Sequence, residues 1–260
     1  MKKILSMGIM MLITFTSCTQ AAATHALKKG TKKVYVTEAT IKVPAQETVH
    51  MSVEQQYKVV DETADGYVLD ILTKDIQKDE KNPPGMSFSA ALSIMEGKHC
   101  QYATDKEGRV LRSLSINDST TMKEEKDLES LQGTISPLAL NGKNIVDGME
   151  EEYCDRNGLK MKRTYHVKPN GSIQSNAMLN MKAEDIRELC KNKLKKAGIN
   201  LPKEAQQTLD KMVENFSMEY TEEATYTFLP DGWVKTIDCV ITQKVSEGAP
   251  ITMTYKVYVK

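Results

Sequence analysis

Residues able to perform acid–base or metal chemistry are few in this sequence, and they are scattered. The four histidines are His25, His50, His99 and His166. None belongs to an H-E-x-x-H, G-x-S-x-G, S-x-x-K or P-loop pattern. Paired carboxylates such as Glu222 and Glu223 are common on strand surfaces and do not by themselves indicate a site. The sequence therefore predicts a protein that is not an enzyme and has no metal site or cofactor, with an unrecognised hydrolase as an alternative.

Thiol chemistry is the next candidate, and it depends on the compartment. Beyond the N-terminal region the chain has four cysteines, at positions 100, 154, 190 and 239. An oxidising compartment would permit two disulfides, and four cysteines allow three pairings. No C-x-x-C pattern is present, which argues against a thioredoxin-like or zinc-ribbon site. Cys190 and Cys239 fall on apolar faces of their elements, so buried thiols are an equally good interpretation.

The N-terminal segment has the pattern of an export signal. Lys2 and Lys3 precede an apolar stretch, residues 4–16, that is too short to span a bilayer well. The stretch ends in Phe15-Thr16-Ser17-Cys18. This ending resembles the lipobox of bacterial lipoproteins, and the resemblance implies cleavage before Cys18 and acylation of its sulfur and amine. An ordinary secretory signal cleaved near residues 21–23 is the alternative.

The same resemblance predicts where the protein is located in the cell. Residues 1–17 would be a signal peptide, and residues 18–32 would be a lipidated cysteine and a flexible tether. Thr19, rather than aspartate, follows Cys18. By analogy with enterobacterial sorting, this implies the periplasmic face of the outer membrane. The chain carries 35 basic and 35 acidic residues, and this balance argues against nucleic acid as a partner.

Alternating apolar and polar residues predict that most of the chain is β-structure. The pattern is clearest in residues 218–228, 233–245 and 251–259, since side chains of a strand alternate between its two faces. Earlier hairpins are predicted at 49–72, 100–116 and 159–181, after a first strand at 34–43. Their turns contain Asp-Gly, Glu-Gly or Asn-Gly pairs. Residues 48–117 and 159–260 form a coarse repeat of hairpin, helical segment and hairpin.

Helical spacing of apolar residues is found in three places. Residues 183–197 and 202–216 each present one apolar stripe, and Pro202 is well placed to begin the second helix. A short helix is predicted at 86–96, ended by Gly97. Residues 118–158 show no clear period, apart from a charged first part that is compatible with a helix.

Together these elements predict an α+β fold, with a large curved antiparallel sheet and helices packed on its concave face. Residues 33–260 would form one domain with a half-barrel-like meander. This arrangement, behind a lipobox, resembles the lipoprotein-carrier fold of periplasmic lipoprotein chaperones and related lipid-binding lipoproteins. It is also similar to uncharacterised Bacteroidetes lipoproteins with Asp-Gly turns. The resemblance rests on pattern alone, so it assigns no functional residue beyond Cys18.

The distribution of methionines indicates what such a fold would bind. Several of the 15 methionines fall on apolar faces, and methionine suits surfaces that accept varied apolar ligands. We therefore predict a hydrophobic groove for an acyl chain, with Met212 and Trp233 as candidate lining residues. The alternative is a structural or protein-interaction lipoprotein with a filled core. An enclosed apolar cavity of about 300 Å³ or more would favour ligand binding.

Overall fold

The fold is described from a computed structural model of the 260-residue chain. The described residues are 20–22, 27–78, 96–116, 134–154, 160–196, 198, 202–246 and 248–260. Cys18 and residues 86–95 of the predicted helix at 86–96 lie outside these ranges.

The described chain is mostly antiparallel β-sheet, as the alternating patterns predict. Its strands are β1 (Gln20–Ala22), β2 (Lys32–Lys42), β3 (Val49–Glu62), β4 (Gly66–Lys78), β5 (His99–Asp105), β6 (Val110–Ile116), β7 (Asn144–Val146), β8 (Glu150–Cys154), β9 (Lys160–Val167), β10 (Ile173–Met181), β11 (Met218–Phe228), β12 (Val234–Val245) and β13 (Ile251–Val259). The helices are α1 (Ala183–Lys196) and α2 (Lys203–Met212).

Eleven of these strands form one open sheet in the order β6-β5-β4-β3-β2-β13-β12-β11-β10-β9-β8. The chain runs as two meanders, and β2 pairs with β13 to join them, with Ala39 opposite Tyr255. Strands of both coarse repeat segments therefore belong to the same sheet. The remaining strands, β1 and β7, pair with each other.

The alternation of side chains gives the sheet one apolar face. In β13, Val257 is fully buried, whereas Thr254 and Lys256 are exposed. We call the face that carries Val257 the inner face. Tyr35, Tyr57 and Tyr226 lie on the same face and are each at most 2% exposed.

One irregular segment contacts both edges of this sheet. Residues 134–143, which we call the plug, reach the turn between β5 and β6 through Asn141, whose Nδ2 donates to the Gly108 carbonyl at 3.3 Å. Two residues later, Lys143 Nζ lies 2.7 Å from Glu151 Oε2 on β8. Eleven strands laid flat would separate these edges by roughly 48 Å. The sheet is therefore curled into an open half-barrel around the plug.

The plug completes the main hydrophobic core. Leu138, Ala139 and Leu140 are each 1% exposed, and they belong to one buried cluster with aromatic residues of both meanders. Gly108 accommodates the plug closely, because its φ is +85° and a Cβ there would lie 2.9 Å from Asn141 Nδ2. The segment that showed no clear period in the sequence therefore supplies the centre of the core.

The two helices form as predicted, although their packing on the concave face is not confirmed. Asp185 in the first turn of α1 accepts a hydrogen bond from the Lys182 backbone N–H at 2.8 Å, which caps the helix. Arg187 links the helices through Asp210, with Nε 3.3 Å from Oδ1. Among the helix residues whose side chains the structure describes, none belongs to the main core cluster.

Candidate functional site

The inner face changes from fully buried to partly exposed along the central strands. Near the plug, Val257 and Ile237 are 0% exposed. Towards the far ends of the same strands, Tyr255, Met253 and Ile241 are only half-buried. The apolar face therefore continues beyond the part that the core closes.

We call this half-buried region the inner strip. It consists of inner-face residues from four strands: Met51, Met218, Tyr220, Ile241, Ile251, Met253 and Tyr255. Ile241 pairs with Met253 across β12 and β13, and Met51 pairs with Ala39, which in turn pairs with Tyr255. Strand register therefore links Met51, Tyr255, Met253 and Ile241 through neighbouring inner-face positions. On the β11 side, Gln243 and Glu222 lie between Tyr220 and the residues of β13.

Sulfur and hydroxyl groups give the strip an adaptable surface. The Tyr255 hydroxyl donates to Met253 Sδ at 3.6 Å, and Gln243 Nε2 donates to Met218 Sδ at 3.4 Å. Burial raises the pKa of Tyr255 above its ordinary value of 10.0, so this hydroxyl is neutral at physiological pH. The methionines can adjust their side chains to ligands of different shape.

A buried ion pair flanks the strip. Arg163 on β9 and Glu222 on β11 are 5% and 6% exposed at their side chains, and Arg163 Nη2 lies 2.7 Å from Glu222 Oε1. Thr134 of the plug donates its hydroxyl to the same oxygen and accepts from Arg163 Nη2 at 2.6 Å. Tyr220 donates to Glu222 Oε2 at 3.1 Å. This cluster therefore joins the plug to the strip.

Sequence reasoning missed this cluster, although a signal for it is present. Glu222 was interpreted as one of a common pair of surface carboxylates, but it is buried, whereas Glu223 is exposed. In the alternating pattern of 218–228, Glu222 occupies an apolar-face position. Arg163 likewise lies between Met161 and Tyr165 on the same face of β9. Opposite charges at apolar-face positions of two strands are typical of a buried pair.

A second ion pair holds the other end of the plug. Lys143 Nζ contacts both carboxylate oxygens of Glu151, at 2.9 and 2.7 Å, and the Tyr165 hydroxyl donates to Oε2 at 2.7 Å. Burial opposes ionisation of Glu151, but the hydrogen bonds from Lys143 and Tyr165 outweigh it and lower the pKa of Glu151 below its ordinary value of 4.5. Burial raises the pKa of Tyr165, so its hydroxyl remains a donor.

This pair predicts a pH dependence of stability. A carboxyl whose pKa is lower in the folded state stabilises the fold above its unfolded pKa, and this contribution is lost as pH falls through the folded pKa. The difference in unfolding free energy between wild type and Glu151→Gln should therefore be largest near neutral pH and shrink below about pH 4. Urea unfolding across this range measures it. Glu152→Gln, at an exposed position of β8, is the control, and a difference that does not vary with pH would contradict the assignment.

A groove of about 400 Å³ lies on β2, β3 and β4, next to Met51 of the inner strip. Glu38, Thr40, His50, Ser52 and Gln77 line it, together with Ala39 and Met51. The five polar residues alternate with inner-face positions of β2, β3 and β4, so they belong to the outer face. This open, polar groove is not the enclosed apolar cavity that would favour ligand binding over a filled core.

The structure does not bring the two predicted lining residues into one site. Trp233 is 1% exposed and lies in the core beside Tyr35, with 6.4 Å between ring centroids. Met212 ends α2, six residues before β11, whereas Trp233 follows the other end of that strand. A strand of this length separates its ends by roughly 33 Å. Neither residue is among those that define the inner strip.

Within the described ranges, no group of three or more histidine, cysteine or acidic side chains is arranged to hold a metal ion. Cys190 and Cys239 are free thiols, and burial raises the pKa of Cys239 to about 12. No helix of the described chain has the length and apolar character needed to cross a bilayer.

Comparison with known proteins gives no family. No protein-family model and no curated protein matches the chain. Among solved structures, one of lipovitellin, described as showing lipid–protein interactions, is similar over 90% of this chain with 11% identity and a TM-score of 0.45. The present chain covers only 25% of the lipovitellin chain. The ywiB protein from Bacillus subtilis aligns with 90% of this chain and 96% of its own, at 10% identity and a TM-score of 0.15.

Proposed function

We propose that the protein binds an acyl chain on its inner strip and performs no catalysis. The observation that supports this most strongly is the gradient of burial along β12 and β13. Ile237 and Val257 are sealed by the core, whereas Ile241, Met253 and Tyr255 on the same face keep part of their surface accessible. Covering such surface is favourable by about 25 cal/mol per Å², which gives an apolar ligand a reason to bind there.

The chemistry of the strip fits a flexible chain better than a rigid or polar ligand. Methionine, isoleucine and tyrosine side chains offer apolar contacts without a fixed array of hydrogen-bond donors. Methionines from β3, β11 and β13 contribute to it. A saturated chain adapts to such a surface and loses no hydrogen bonds with water when it binds.

Binding is tested by introducing a charge into the strip. Met253→Glu places a carboxylate on the half-buried inner face, and we expect affinity for lauroyl lysophosphatidylcholine to fall at least about tenfold, which corresponds to ~1.4 kcal/mol. Thr254→Glu, at the exposed neighbouring position, is the matched control and should bind as wild type does. Calorimetric titration of the three proteins measures the effect. Equal affinities for both variants would place the ligand elsewhere.

We further propose that the protein is a lipoprotein of the cell envelope, anchored through Cys18 at the periplasmic face of the outer membrane. The supporting feature is the lipobox-like Phe15-Thr16-Ser17-Cys18 behind a short apolar leader. The membrane would be its partner through this anchor.

The anchor is tested by a single substitution. Cys18→Ala should release the protein from the membrane fraction or leave it unprocessed, because the acylated sulfur would be absent. Fractionation and mass measurement of the mature protein decide the point. An unchanged distribution and an unchanged mature mass would exclude a lipid anchor at this position.

The alternative function is a structural or interaction lipoprotein, and one observation favours it. The plug fills the half-barrel with a solid core that includes Leu138, Leu140 and Trp233. If the inner strip is instead a docking surface for a protein, lysolipid will not bind, and Met253→Glu will leave lipid titrations unchanged.

A further inference from the structure

The charges around the inner strip specify how a ligand would lie in it. The inner-face positions of β10 to β13 within the described chain carry one charged side chain, Glu222. Glu222 pairs in register with Ile241, and Ile241 pairs with Met253, so its carboxylate borders the strip directly. Its side chain is 6% exposed.

The nearby cations are already neutralised by carboxylates. Arg163 is bound to Glu222 at 2.7 Å, and Lys143 is bound to Glu151 at 2.7 Å. Thr134 and Tyr220 add hydroxyl donors to the Glu222 carboxylate, which leaves that carboxylate well satisfied. An anionic head group bound on the inner face would lie near the Glu222 carboxylate and would have to compete with it for Arg163. Separating a buried ion pair is costly.

At the strand ends beyond the strip, in contrast, the charged side chains are exposed to solvent. Lys42, Glu219 and Lys244 are exposed on the outer face at the ends of β2, β11 and β12, and Lys182 is exposed directly after β10. Because these side chains are solvated and carry both signs of charge, a polar or charged head at this end of the sheet stays in contact with water. It need not be desolvated to bind.

We infer that the inner strip takes a single-chain amphiphile tail first and leaves its polar head at the exposed strand ends. The ligand class is therefore a single-chain amphiphile that the protein binds by its acyl chain, with little or no recognition of the head group. A free fatty acid held by its carboxylate would be the contrasting case. This inference rests on the proposed acyl-chain binding and adds the orientation and the tolerance for different heads.

Three probes with the same acyl chain and different heads test the orientation: laurate, methyl laurate and lauroyl lysophosphatidylcholine. Each is titrated into the full-length protein below its aggregation threshold, by calorimetry. Tail-first binding predicts three affinities within about threefold of one another, and a loss of all three in Met253→Glu by about tenfold or more.

Two other outcomes have distinct meanings. If laurate binds more than about tenfold more tightly than methyl laurate and the lysolipid, a buried cation holds the carboxylate; the orientation is then wrong, although acyl-chain binding stands. If none of the three probes binds, acyl-chain binding itself is refuted, and the inferred orientation is refuted with it.

Discussion

Arg163→Met is expected to destabilise the protein by about 3–5 kcal/mol, the usual cost of leaving one member of a buried ion pair without its partner. Arg163 and Glu222 are 5% and 6% exposed at their side chains, so water cannot replace the lost guanidinium. The substitution also removes the 2.6 Å hydrogen bond from Arg163 to Thr134 of the plug. Chemical unfolding followed by circular dichroism gives the change in free energy.

The matched control is the double variant Arg163→Met/Glu222→Gln, in which neither charge remains. The glutamine amide oxygen can accept from one of the two hydroxyls, and the other hydroxyl can rotate to accept from the amide NH2. Because no buried charge is left without a partner, the double variant should be more stable than Arg163→Met alone. Lys162→Met, next to Arg163 but exposed, should change stability by about 0.5 kcal/mol or less. A double variant less stable than the single one would show that the pair is not coupled as described.

Val257→Asp should have the other large effect, a loss of about 4 kcal/mol or more, which is a large share of the free energy of unfolding of a typical domain. Val257 is 0% exposed and lies opposite Ile237 in the core. A carboxylate there has no buried partner, so the chain must either desolvate a charge or take up a proton. The midpoint of urea unfolding measures the loss.

Thr254→Asp is the comparison for this substitution, because Thr254 lies on the exposed outer face of the same strand. It should change stability by about 0.5 kcal/mol or less. Similar losses from the two substitutions would mean that the inner and outer faces of β13 have been assigned the wrong way round.

Local rules were sufficient to predict the strands. Asn170-Gly171 and Asp231-Gly232 mark hairpins that form between β9 and β10 and between β11 and β12. Gly171 and Gly232 take positive φ, at 79° and 84°, as these turns require. Alternation then identified the inner face of β13, with Val257 buried and Thr254 exposed, because side-chain direction in a strand depends only on sequence position.

The plug was not predicted, because nothing local specifies it. Residues 134–143 have no helical or strand period, and their position depends on contacts with distant residues such as Gly108 and Glu222. Such contacts form only when the sheet has curled and its edges have approached. The helices at 183–197 and 202–216 were the nearest apolar surfaces in sequence, and this proximity suggested them as the cover for the sheet.

The sequence predicts an apolar ligand surface, but the place of that surface on the sheet depends on strand pairing. Methionines on apolar strand faces pointed to an adaptable surface, and Met51 and Met253 lie on the inner strip. The sequence suggests Met212 and Trp233 because both lie near the predicted helix–sheet contact; in the structure Met212 precedes β11 and Trp233 follows it. Arg163 and Glu222 are 59 residues apart, and their pairing depends on which strands are neighbours.

Native mass spectrometry of the protein purified without added lipid tests acyl-chain binding most directly. The Cys18→Ala background avoids any covalent lipid, so an adduct that disappears on denaturation reports bound ligand alone. We expect one such adduct with the mass of an acyl amphiphile, present with Thr254→Glu and absent with Met253→Glu. A spectrum that shows only unliganded protein, both as purified and after incubation with lauroyl lysophosphatidylcholine, would contradict binding on the inner strip.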